Sequence, residues 1–69
     1  MPVINTIELE GVSDTSWGEA AREALREASK TIRNINRLDV LGTGTTVKDG
    51  KIMEYRTQVR LYFTIEQER

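Results

Sequence analysis

The chain has 69 residues, ten Lys or Arg against eleven Asp or Glu, a net charge of −1, and neither Cys nor His. Disulfides are therefore excluded, structural zinc lacks its usual ligands, and the interleaved charges leave no basic stripe for nucleic acid. Domains near this size bury only about 60% of the unfolded surface and lean on disulfides, metals or association, and association is the option left here.

No apolar run is long enough to span a bilayer and no signal-peptide pattern opens the sequence, so a cytoplasmic protein without membrane partners is expected. The missing His and Cys remove the usual nucleophile–base pairs, so a non-enzymatic role is expected too. A single domain over residues 1–69 is the natural division at this length.

The segment VINTIELEG alternates, with Val3, Asn5, Ile7 and Leu9 on one side and Ile4, Thr6, Glu8 and Glu10 on the other. That period of two predicts a half-buried strand ended by Gly11. Ser16 with Glu19 fits a capping box, with Ser13 or Asp14 as alternative caps. From Trp17 the apolar positions Ala20, Ala21, Ala24, Leu25, Ala28, Ile32 and Ile35 follow a helical period. Four of them are Ala, which lets a helix lie close to a sheet. Its other face carries Glu19–Arg22, Glu23–Arg26 and Glu27–Lys30 at i,i+3 spacing, a solvated face rather than a binding site.

Asn34 and Asn36 suggest the helix exit, and Leu38 to Val47 reads as a second strand bent at Gly42 and Gly44. No helix start and no suitably spaced Lys follow these glycines, so they are not a phosphate loop. Asp49-Gly50 signals a hairpin. In the third strand Met53, Tyr55, Thr57, Val59, Leu61, Phe63 and Ile65 face one way; Ile52, Glu54, Arg56, Gln58, Arg60, Tyr62 and Thr64 face the other. At roughly 3.3 Å per residue this strand outruns the helix, so the sheet must curl around it or extend to a neighbour. The expected fold is α+β, in the order β-α-β-β, with a bent three-stranded antiparallel sheet wrapped around one helix. Tyr55 and Phe63 belong in the core, Tyr62 at an interface, and Trp17 in core or interface packing or, less readily, against a ligand.

The stretches IELEGVSDTSWGEAAREAL, TIRNINRLDVLGTG and EYRTQVRLYF, in this order and without gaps, resemble the dodecin family. The resemblance implies a homododecameric hollow shell that binds or stores a small ligand, FMN or riboflavin in the best-known members, between subunits. It also implies that three site positions depart from the flavin-binding pattern. Arg37 stands where a stacking Trp follows the helix, Arg56 where a Gln meets the ring edge, and Gly44 where bacterial members carry an Arg. Weak or absent flavin binding is the consequence, leaving a small anionic or flavin-like ligand. The alternative is a structural or ion-binding assembly, calcium for example, with salt-bridged interfaces. With both arginines and their symmetry mates at one site, carboxylates such as Asp39 or Glu54 across the interface, or an anion, must neutralise them.

Overall fold

The computed structural model describes residues 3–65. The ends of the expected domain 1–69 lie outside the described residues. Four elements follow in order: β1 Val3–Ser13, α1 Trp17–Ser29, β2 Ile35–Lys48 and β3 Lys51–Ile65. All pairings are antiparallel and the sheet order is β1-β3-β2, so the last strand lies in the middle. The expected β-α-β-β architecture is the observed one.

Several boundaries differ from the sequence reading. β1 does not stop at Gly11 but runs on to Ser13. Gly11 is instead where the helix touches the strand: a Cβ there would stand 1.8 Å from the Ala20 carbonyl oxygen and 3.2 Å from the Ala24 nitrogen. The helix ends at Ser29 although the apolar stripe continues. Ile32 donates its N–H to the Ala28 carbonyl at 2.9 Å, Asn34 then takes a left-handed φ of 66°, and Ile35 opens β2. Both isoleucines still pack against the core, so the stripe predicted a face rather than a helix. β2 consequently starts three residues before Leu38.

Ser16 is the N-cap, accepting the Glu19 N–H at 3.0 Å. Only half of the capping box forms, because the Glu19 carboxylate turns to Arg22 at 2.9 Å, while Ser13 Oγ accepts the Ser16 N–H at 3.4 Å. The other two expected helix pairs, Glu23–Arg26 and Glu27–Lys30, are also made. Register shifts interrupt β2 between Ile35 and Arg37, Val40 and Gly42, and Thr46 and Val47. Gly42 sits at one of them as expected, whereas Gly44 lies in regular register opposite Arg56. Asp49 and Gly50 both have positive φ, 53° and 76°, the conformation that a two-residue type I′ hairpin requires.

The core is thin. Ala24 and Ala28 pack with Val59 and Leu61, with Ile7, Leu9, Leu25 and Leu38 around them, and Ala20 is buried against Gly11. Thr57, buried beside them, donates its hydroxyl to the Trp17 carbonyl at 2.8 Å. Tyr55 and Phe63, expected inside, are only half-buried. The helix covers β1 and β3 and barely reaches β2, leaving Val40 57% exposed. Its 13 residues span about 20 Å, against about 50 Å for the 15 residues of β3. The molecule measures 57 × 19 × 13 Å with a radius of gyration of 14.5 Å, where a compact domain of this length has about 11 Å. It exposes 5248 Å², against about 4400 Å² for a compact monomer of its mass.

Candidate functional site

The helix hides one face of the sheet, and every expected site residue lies on the other. Strand alternation places Glu8 and Glu10 of β1, Arg56, Gln58, Arg60 and Tyr62 of β3, and Arg37 and Asp39 of β2 on this outer face. Because β3 is central, its arginines reach acids of β1 on one side and, through Arg56, the Thr46 hydroxyl of β2 on the other.

At one end, Arg56 holds three partners. Its Nε donates to Thr46 Oγ1 at 2.7 Å, Nη1 to Glu10 at 2.7 Å and Nη2 to Glu54 at 3.2 Å. Gln58 donates to the other Glu10 oxygen at 3.4 Å. The hydrogen bond that Glu10 accepts from Arg56 holds the Glu10 carboxyl below the usual range, and the same bond raises Arg56 further. Gly44 faces Arg56 across the β2–β3 ladder, with open space where a side chain would be. Residues 42–45, Glu10, Arg56 and Gln58 line an open groove of about 220 Å³. Trp17 braces its wall from the helix side. The indole N–H donates to the Gly44 carbonyl at 2.8 Å, and the ring meets Tyr55 edge to face at 5.2 Å between centroids. Trp17 thus contacts Tyr55 but, at 44% exposure, is not a core residue.

At the other end, Arg37 lies opposite Tyr62, six residues along β3 from Arg56 and so about 20 Å away. Arg37 and Gly44–Arg56 are not brought together within one chain. Arg37 pairs with Asp39 at 3.0 Å, which raises the guanidinium and, with a hydrogen bond from Tyr62, depresses the Asp39 carboxyl. Between the two ends Arg60 reaches Glu8 at 2.9 Å.

Asp39 and Glu54, expected to neutralise the arginines across an interface, instead pair with Arg37 and Arg56 of their own chain, because they lie two residues from them on the same strand face. Glu10 was missed as a partner. Alternation places it on the outer face, but only the strand order β1-β3-β2 sets it beside Arg56. No group of three His, Cys, Asp or Glu that could hold a metal occurs among the described residues. A wider groove of about 470 Å³ is lined by residues 12–15 with Glu19, Glu23 and Glu54. No helix among the described residues is long and apolar enough to cross a membrane.

One thin core, one overlong sheet and a bare, charge-laddered face define a small α+β protein whose polar groove opens on that face. Residues 3–66 match the family model described as Dodecin, and the chain belongs to the dodecin family. Among solved structures, dodecin from Streptomyces coelicolor superposes with a TM-score of 0.91 at 24% identity, covering 97% of this chain and 96% of that one; it speaks to the fold alone. A T. thermophilus dodecin variant is 26% identical over 99% of this chain and 100% of its own, with a TM-score of 0.92. A calcium dodecin from Mycobacterium tuberculosis, described as a calcium-chelating immunodominant antigen with a novel calcium-binding site, is 31% identical. It covers 97% of this chain and 96% of its own, with a TM-score of 0.83. No curated protein matches the chain in a sequence search.

Proposed function

We propose that the chain is the subunit of a closed homododecameric shell that binds or stores a small ligand between subunits, without catalysing a reaction. One observation carries this reading: the uncovered face of a sheet too long for its helix, in a chain exposing roughly a fifth more surface than a compact monomer. Symmetric association is the usual way to cover such a face. Arg37, Gly44 and Arg56 are the residues proposed to border the ligand, brought together by symmetry copies. FMN and riboflavin bind weakly in this reading, since neither arginine supplies the aromatic contact worth about 0.5–1.5 kcal/mol beyond burial.

The test joins two measurements on one preparation. Light scattering behind a sizing column should give a mass near twelve chains, and riboflavin fluorescence should stay largely unquenched on titration with protein. A stable monomer sinks the shell; tight stoichiometric quenching sinks the weak-flavin claim.

A second reading, calcium binding, is favoured by the likeness to the mycobacterial calcium dodecin. Hard cations need several oxygen ligands, so acids from more than one subunit would have to converge. Calcium raising the melting temperature of chelator-stripped protein supports it; an unchanged melt removes it.

A further inference from the structure

The β2–β3 hairpin outruns the rest of the molecule. β1 pairs with β3 only as far as Ser13 opposite Tyr55, and the helix begins beside that point, its Trp17 ring against Tyr55. Residues 51–54 of β3 therefore have β2 alone for a neighbour, over about 13 Å. Every residue from Val47 to Met53 is exposed, Val47, Ile52 and Met53 by half or more. A two-stranded ribbon is marginal in water by itself, and this one carries apolar side chains on both faces.

Its charges are also unbalanced. Lys48 and Lys51 stand directly opposite each other across the turn, and like charges so placed destabilise a strand pair. Every salt bridge among the described residues lies elsewhere, so neither lysine is paired with an acid. At the root of the ribbon the sign is reversed. The groove of about 470 Å³ along residues 12–15 is lined by Asp14, Glu19, Glu23 and Glu54 together with the exposed Val12. Asp14 is the one of these four acids without a basic partner among the described residues.

We propose that the hairpin tip docks into the acidic groove of a second copy of this chain, its two lysines meeting the acids and its apolar side chains covering Val12. The proposal rests on the shell reading above and names one contact that builds it. Charge selects the occupant. Tip against tip would set four lysines together, whereas tip against groove joins complementary surfaces. Because the two surfaces differ, the contact runs head to tail and closes as a ring about a rotation axis.

Lys51→Glu tests this, because its effects within and between chains have opposite signs. Within the chain it sets an acid across from Lys48 and should leave the fold intact or firmer. Between chains it turns an acid toward acids. Light scattering of the full chain behind a sizing column, at falling concentration, should show the particle dissociating at a concentration about tenfold or more above wild type. Adding Asp14→Lys should recover most of that loss, which a purely structural role of Lys51 would not produce. Met53→Gln, at an exposed position, should weaken the particle as well, and it carries the comparison should Lys51→Glu fail to fold. A particle indifferent to Lys51→Glu, or weakened without recovery by Asp14→Lys, overturns the docking. Phosphatidylserine vesicles form the second arm: wild-type binding that Lys51→Glu abolishes, with the particle unchanged, assigns the tip to a lipid surface and overturns it too. A dodecamer untouched by these changes leaves the shell standing without this contact. A smaller ring that responds to Lys51→Glu and recovers with Asp14→Lys keeps the contact and removes the shell, and a monomer overturns both.

Discussion

Gly11 shows how one missing side chain sets the distance between helix and sheet. The close approach to the Ala20 carbonyl leaves no room for a Cβ, and the obstructing atoms are backbone, which cannot swing aside. Gly11→Ala should therefore push the helix off β1 and cost about 1–3 kcal/mol or more, as overpacked sites do. Urea unfolding of the variant checks this; an unchanged midpoint would mean that the helix does not sit so close. Ala20, Ala24 and Ala28 act in the same direction from the other side, small residues that bring the two backbones together. The alanines announce a close approach in the sequence. Their counterpart does not, because a glycine at the end of an alternating run reads equally well as a terminator.

Among the elements, the helix is the most locally determined. Its cap, its charged outer face and its inner stripe all arise from residues three or four apart. The Ser16 hydroxyl satisfies one of the free N–H groups at the helix start. Ser16→Ala should cost about 1 kcal/mol, within the usual range for a lost cap, measured by thermal melting. The loss should sit at the low end if Ser13, already bonded to the Ser16 N–H, takes over part of the capping. The strands needed more than local pattern. Alternation gave every residue of β3 its face, but not which strand would lie in the middle. It equally gave no warning of the shift that sets Arg37 opposite Tyr62 rather than one place along.

For the whole molecule, the outer face is a ladder of charges in which Glu8, Glu10, Asp39 and Glu54 meet Arg37, Arg56 and Arg60. The carboxyls of Glu10 and Asp39 are depressed in the folded chain, chiefly by hydrogen bonds from Arg56 and Arg37. Folding therefore favours their ionised form. The stabilisation is complete above the ordinary carboxylate range and is lost as pH falls through the lowered folded values. With no His to titrate, stability should be level from about pH 8 to 6 and decline below about pH 5. Urea midpoints across that range check the sign; a protein growing more stable toward pH 3 would contradict it. Salt should blunt the effect, because the pairs are exposed and screened.

The order of elements, the two faces of β1 and β3, the cap and the hairpin turn were all legible in the bare chain. They are written in spacings of two to four residues, the range over which a backbone conformation repeats. The apolar stripe through Ile32 and Ile35 was read correctly as a face and wrongly as helix, because the same side of the core is reached by a turn and then a strand. Three outcomes had to wait for the folded molecule: β3 is central, Glu10 joins Glu54 in balancing Arg56, and Arg37 lies over the ring of Tyr62. They depend on pairings between residues distant in the chain, Glu10 and Arg56 standing 46 positions apart. Such register is fixed by the joint packing of helix and sheet, which no single stretch of sequence contains.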